Sequence, residues 1–123
     1  MADKKLFYAL VPLMEKGYNF QEVKILQLAF EKKMNISEIS KASGIDYKNA
    51  HRYVKKLCQD GLIIMNPKKP VQGKRVDITL SEKTLNLILD ELESIVLKKE
   101  YYKEMENTIK EARRKLRHVQ LSG

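Results

Sequence analysis

What most constrains this chain is a pair of short helical patterns joined by a glycine, Asn35 to Gly61, after which the period changes at once. In the second pattern, Asp46 to Asp60, Ala50, Tyr53, Val54 and Leu57 recur at three- and four-residue spacing and form one face. Lys48, Asn49, His51, Arg52, Lys55 and Lys56 occupy the other. A helix divided in this way buries one side and presents a cationic, polar one. Gly44 falls where the two helices must turn sharply, and Gly61 falls just past the second, where a left-handed residue closes a last turn. The pattern predicts a helix-turn-helix.

Four helix starts share one grammar. Asn19 is followed by Glu22 and flanked by Tyr18 and Val23, and Asn35 by Glu38 with Met34 and Ile39, so each carries a capping box and a hydrophobic staple. Asp46 has Ile45 and Ala50 around it, and Ser81 has Leu80 and Leu85, without the acidic residue that completes a box. Helices are predicted to begin near residues 20, 36, 47 and 82. In the first of these, Phe20, Val23, Leu26, Ala29 and Phe30 form a stripe able to cover the inner face of the helix-turn-helix. Upstream, Leu6, Phe7, Leu10, Val11, Leu13 and Met14 suit a short helix, kinked or restarted at Pro12, that packs against the C-terminal helix.

After Gly61 the reading is strand. Leu62 to Met65 is a short apolar run, and from Arg75 to Leu80 the residues alternate, with Val76, Ile78 and Leu80 on one side. The connection, Asn66 to Lys74, holds Pro67, Pro70 and Gly73 together with Lys68, Lys69 and Lys74, which predicts an exposed, basic wing rather than a tight turn.

The net charge of +8 is concentrated. Residues 1–40 carry six Lys/Arg against five Asp/Glu, residues 76–123 nine against nine, and residues 41–75 nine against two. A local excess of +7 on the helix-turn-helix and wing is the distribution of a surface that meets a polyanion. No window approaches the run of about 18 apolar residues that spans a bilayer, and the opening MADKKLFYALVPL lacks the apolar segment and cleavage site of a signal peptide, so a cytoplasmic, nucleoid-associated protein is expected. The lone Cys58 forms no internal disulfide, and with His51 seven residues away it makes a poor metal site; no metal and no cofactor are expected.

From Ser81 to about Val119 there is no proline or glycine. Leu85, Ile88, Leu92 and Ile95 form a first apolar seam, reinforced by Leu89, Val96 and Leu97, that should cover the chain's own domain and its N-terminal helix. Tyr102, Met105, Ile109, Ala112, Leu116 and Val119 form a second, offset by one residue around Lys99 and flanked by charge, which suits a two-stranded coiled coil with a second copy. The dimer interface is therefore assigned to Leu92, Ile95, Tyr102, Met105, Ile109, Ala112 and Leu116. The alternative is one amphipathic helix folded back on its own domain.

The order helix, helix-turn-helix, basic hairpin, long helix resembles the winged helix-turn-helix transcription regulators of the MarR and ArsR type. The resemblance covers about residues 20–85, through ISEISKASGIDYKNAHRYVKKLCQDGLI and GKRVDITLSEK. The Lys/Ile-rich composition also resembles small archaeal members with a C-terminal coiled coil. The chain departs from the MarR pattern at Gly73, where such wings usually carry an aspartate two residues before the wing arginine. The resemblance implies a mainly α fold with a small β-hairpin (α+β). It is divided here as an N-terminal segment 1–18, a winged helix-turn-helix domain 19–81 and a dimerisation helix 82–119.

Such a fold places the second helix in the major groove, N-terminal part against base edges. Tyr47, Lys48, Asn49, His51 and Arg52 are the candidate base readers, Asn and Arg having the geometry for adenine and guanine. Lys41, Lys55, Lys56, Lys68, Lys69, Lys74 and Arg75 are candidates for backbone or minor-groove contacts. The partners implied are double-stranded DNA and a second copy of the chain. No glycine-rich phosphate loop or nucleophile–histidine–carboxylate set points to an enzyme. The competing readings are a sequence-tolerant chromatin protein and a protein-binding winged helix, the latter having no need of the +7 surface.

Overall fold

The computed structural model describes residues 4–69 and 71–122; Pro70, placed in the wing loop above, lies outside them. Five helices and a hairpin follow in order: α1 Lys4–Glu15, α2 Phe20–Glu31, α3 Ile36–Ser43, α4 Tyr47–Gln59, β1 Ile63–Asn66, β2 Asp77–Leu80 and α5 Glu82–Ser122. The chain is mainly α with one small antiparallel hairpin. It divides into two units, one ending at Asp90 and the other beginning at Glu91.

The predicted starts of α2 to α5 coincide with the observed ones because the capping chemistry is satisfied. Asn19 accepts from Glu22 N at 2.8 Å while Glu22 accepts from Asn19 N at 3.1 Å, and Asn35 and Glu38 repeat the exchange at 2.9 and 3.0 Å. Asp46 accepts from Asn49 N at 2.8 Å, and Ser81 Oγ from Thr84 N at 3.2 Å. Between α3 and α4 the chain reverses through Gly44 at φ 75°, and α4 stops at Gly61, also at φ 75°, with Leu62 N donating to Leu57 O at 2.9 Å. Both reversals use the left-handed region that glycine enters without strain.

α2 is the central element of the first unit, packed by α1, α3, α4 and β2. That corrects the predicted stripe. Val23, Leu26 and Ala29 are buried, but so are Glu22, Ile25 and Gln27, whereas Phe20 and Phe30 stand 56% and 46% exposed at its ends. α1 packs on α2, with Leu6, Ala9, Leu10 and Leu13 buried, and the Phe7 and Phe20 rings meet at 5.9 Å. It runs as one helix through Pro12, which has no N–H for the Tyr8 carbonyl; Tyr8 is exposed, so water can take that place.

The hairpin pairs Ile63 with Leu80 through to Asn66 with Asp77. Ile78 and Leu80 face the core, as the alternation predicts. Ile78 N also donates to Met34 O at 2.8 Å, so the residue ahead of the α3 cap forms a short third rung on the outer side of β2.

In the first turns of α5 the inward line is Ser81, Thr84 and Ile88, because Thr84 Oγ1 donates to Leu62 O at 2.8 Å and draws that side of the helix onto the hairpin. Leu85 and Leu89, expected to cover the domain, are exposed at 45% and 53%, and in the second unit Val96 and Leu97 are exposed as well. The second unit is the remainder of α5. Among its seam residues Leu92 is half-buried, and Ile95, Tyr102, Met105, Ile109, Ala112 and Leu116 are exposed.

Candidate nucleic-acid interface

α4 is held by its core side, Ala50, Val54 and Leu57, each at most 1% exposed, and Tyr53 is half-buried beside them. The opposite side is open. Tyr47, Lys48, His51, Arg52, Lys55 and Lys56 are all exposed. Tyr47 and His51, one turn apart, bring their rings to 6.4 Å, and the Arg52 guanidinium lies 5.2 Å from the Tyr53 ring centre, which restricts its swing without neutralising it. Asn49 is the exception among the candidate readers. It is half-buried, and its side-chain amide donates to Asp46 Oδ2 at 3.0 Å, tying it to the helix cap.

Between the start of α4, the start of α3 and the root of the wing runs a shallow groove of about 290 Å³, lined by Asn35, Ile36, Ser37, Tyr47, His51, Met65 and Val76. Tyr47 and His51 thus face the wing across it. Sequence spacing brings Tyr47 and His51 together; the participation of Ser37, Met65 and Val76 depends on long-range contacts, the pairing of β2 with Met34 just ahead of α3 among them, and leaves no periodic trace.

The lysines separate into two groups. Lys41 on α3, Lys55 on α4 and Lys68, Lys69 and Lys74 on the wing are exposed. Lys56 is committed to the fold. Its Nζ lies 3.1 Å from Glu22 Oε2 and 5.1 Å from the Tyr18 ring centre, and Tyr18 in turn donates its hydroxyl to Asp60 Oδ2 at 2.7 Å. Burial, then the hydrogen bond to Asp60, pushes the Tyr18 phenol up to about 12. These four side chains fasten the C-terminal end of α4 to the N-terminal turn of α2.

Arg75 is likewise held. Its Nε donates to Asp77 and its Nη2 to Glu38, with a longer contact to Lys33 O. The Asn35 N–H and then the Arg75 guanidinium hold the Glu38 carboxyl below its ordinary value, while Asp77 and then Glu38 raise Arg75 further. Within the wing the acidic partner of Arg75 is thus Asp77, two residues after it, while position 73 is glycine. Arg75 joins the wing root to the α3 cap. His51 and Cys58, two turns apart and so about 10 Å along the axis, do not converge, and among the described residues no group of three or more His, Cys, Asp or Glu could hold a metal ion. Among those residues, too, no helix is long and apolar enough to cross a membrane.

Residues 23–64, from α2 into β1, match the family model for Winged helix-turn-helix DNA-binding. No curated protein matches the chain. Among solved structures it is similar to the multiple antibiotic-resistance repressor (MarR) of Listeria monocytogenes, 19% identical over 81% of this chain and 68% of that one, with a TM-score of 0.57. A transcriptional regulator of Thermotoga maritima is 17% identical over 95% and 86%, at 0.61. A homodimeric winged helix-turn-helix DNA-binding domain of Mycobacterium bovis, a possible ArsR-family regulator, is 20% identical over 77% of each chain, at 0.51. At such identities the likeness is one of fold: the chain has the winged helix-turn-helix architecture seen in MarR-family transcriptional regulators.

Proposed function

We propose that this protein is a sequence-specific, double-stranded DNA-binding transcription regulator that acts as a homodimer. The observation that carries the reading is the open cationic side of α4, framed by wing lysines, on a winged helix-turn-helix scaffold. In this reading α4 enters the major groove, with Tyr47, Lys48, Asn49, His51 and Arg52 toward base edges. Lys41, Lys55, Lys68, Lys69 and Lys74 meet phosphates or the minor groove. Lys56 and Arg75 act one step back, keeping α4 and the wing in place. Residues 1–18 support the DNA-binding domain, 19–81, and residues 82–119 dimerise through the exposed seam. The homodimeric state of the Mycobacterium bovis domain favours this assembly. A two-fold dimer would present two recognition helices to successive major grooves about 34 Å apart.

One observation favours a second reading, sequence-tolerant binding. Asn49 must give up its bond to Asp46 before it can make a bidentate contact to adenine. Titration of a genomic pool and of random duplex separates the two. Under the specific reading, Arg52→Ala costs about 1 to 3 kcal/mol on the selected site and little on random DNA. Equal losses on both favour the tolerant reading, and a salt-independent affinity removes DNA binding altogether.

A further inference from the structure

The neutral sum over residues 76–123 conceals a division. Residues 76–106 hold four Lys/Arg against eight Asp/Glu, whereas residues 107–123 hold five against one, a net +4. In the latter, Lys115 pairs with Glu111 at 3.7 Å. Lys103, Lys110, Arg113, Arg114 and Arg117 are exposed and make no ion pair among the described residues.

These five share a side of α5. Lys103, Lys110 and Arg117 each stand one residue beyond a seam position, Tyr102, Ile109 and Leu116, which sets them about 100° around the helix from it. Arg113 and Arg114 fill the interval, and with them Glu106, the one acid on this side between Lys103 and Arg117. The seam can close on a second copy while this side stays open to solvent.

We infer that this stripe is a second polyanion-binding surface, which takes the phosphate backbone of duplex DNA; the choice of duplex rests on the function proposed above. Five cations along roughly 21 Å of helix suit a strand bearing one phosphate per about 3.4 Å of duplex axis. Arginine adds a fork that grips phosphate in two places. The side has no apolar or aromatic centre, so it lacks the anchor that a protein interface uses and the stacking platform that single-stranded nucleic acid needs.

The test uses the full chain with Lys110, Arg113, Arg114 and Arg117 changed to Gln, which keeps helix propensity and leaves the seam intact. A milder Lys103→Gln/Lys110→Gln protein serves if the first fails to fold. Affinity for random duplex is followed by anisotropy across rising salt, beside wild type and a wing variant, Lys68→Gln/Lys69→Gln/Lys74→Gln, with mass by light scattering. Loss of two to four phosphate contacts per dimer lowers the slope of log affinity against log salt by roughly 2 to 4, with mass unchanged. An α5 variant that keeps the wild-type slope while the wing variant loses slope overturns this inference alone. Wild-type protein that binds no duplex overturns both readings. Loss of binding to single-stranded RNA with the duplex slope intact assigns the stripe to another polyanion and also overturns it.

Discussion

Lys56 Nζ sits 3.1 Å from a carboxylate oxygen of Glu22, a residue only 1% exposed and 34 positions away in the chain. The same carboxylate caps α2 through Asn19, so one buried acid both starts the central helix and holds α4. The lysine thus ties α4 to α2 while half of its side chain stays in water on the cationic side of α4.

Removal of that lysine leaves the Glu22 charge buried without its counter-ion. Lys56→Ala is expected to cost on the order of 1 to 3 kcal/mol, the lower part of the range applying because Lys56 itself is half in water. Urea unfolding measures it. The double variant Glu22→Gln/Lys56→Ala should recover part of the loss, and a double variant no better than the single one would refute the coupling.

Tyr18 gives a test at high pH. Its phenol rises from 10.0 to about 12, so the neutral form is favoured in the folded protein. The resulting stability is complete below pH 10.0, the value in the unfolded chain, and is lost as pH climbs toward 12. Wild type should exceed Tyr18→Phe in melting temperature at neutral pH and lose that advantage over this window, and the variant should lack the last phenolate step in an ultraviolet titration.

For Glu38 the sign reverses. Its depressed carboxyl contributes stability that is complete above its ordinary value of 4.5 and disappears as pH falls through the lower folded value. Glu38→Gln should be less stable than wild type at neutral pH and converge with it in acid. Amide exchange along β2 should quicken in the variant, since Arg75 then keeps only Asp77 as an acidic partner; unchanged exchange would show that the ion pair does not fasten the wing.

The seam is tested by Ile109→Asp with Leu116→Asp and, separately, by truncation after Lys99. Each is expected to halve the mass seen in light scattering and to weaken DNA binding, because two linked domains bind one duplex far better than one. Dimers that persist would exclude the seam, and monomers with undiminished affinity would uncouple dimerisation from DNA binding.

Helix starts were legible because caps are local: Asn19 with Glu22 and Asn35 with Glu38 announce their hydrogen bonds three residues apart. The two glycine reversals and the open side of α4 were legible for the same reason. What spacing hid was long-range. Glu22 reads as half of a capping box and serves also as the partner of Lys56; Arg75 reads as a wing cation and spans 37 residues to Glu38. Leu85 and Leu89 read as core, but a hydrogen bond from Thr84 to Leu62 decides which side of α5 turns inward. Apolar periodicity finds a stripe without telling which neighbour will cover it.

The hydrogen bond from Ile78 N to Met34 O sets unequal tolerances for chain length. An extra residue between Lys32 and Asn35 would shift Met34 out of register with β2 and flip its side chain, unseating the wing and the α3 cap together. From Val71 to Lys74 the described residues of the loop are exposed and outside the β1–β2 pairing, and each doubling of a loop's length costs only about 0.6 kcal/mol in closure entropy. A residue added at the wing tip is therefore expected to cost far less stability than one added in the linker ahead of α3, a difference that urea unfolding of the two insertion variants measures.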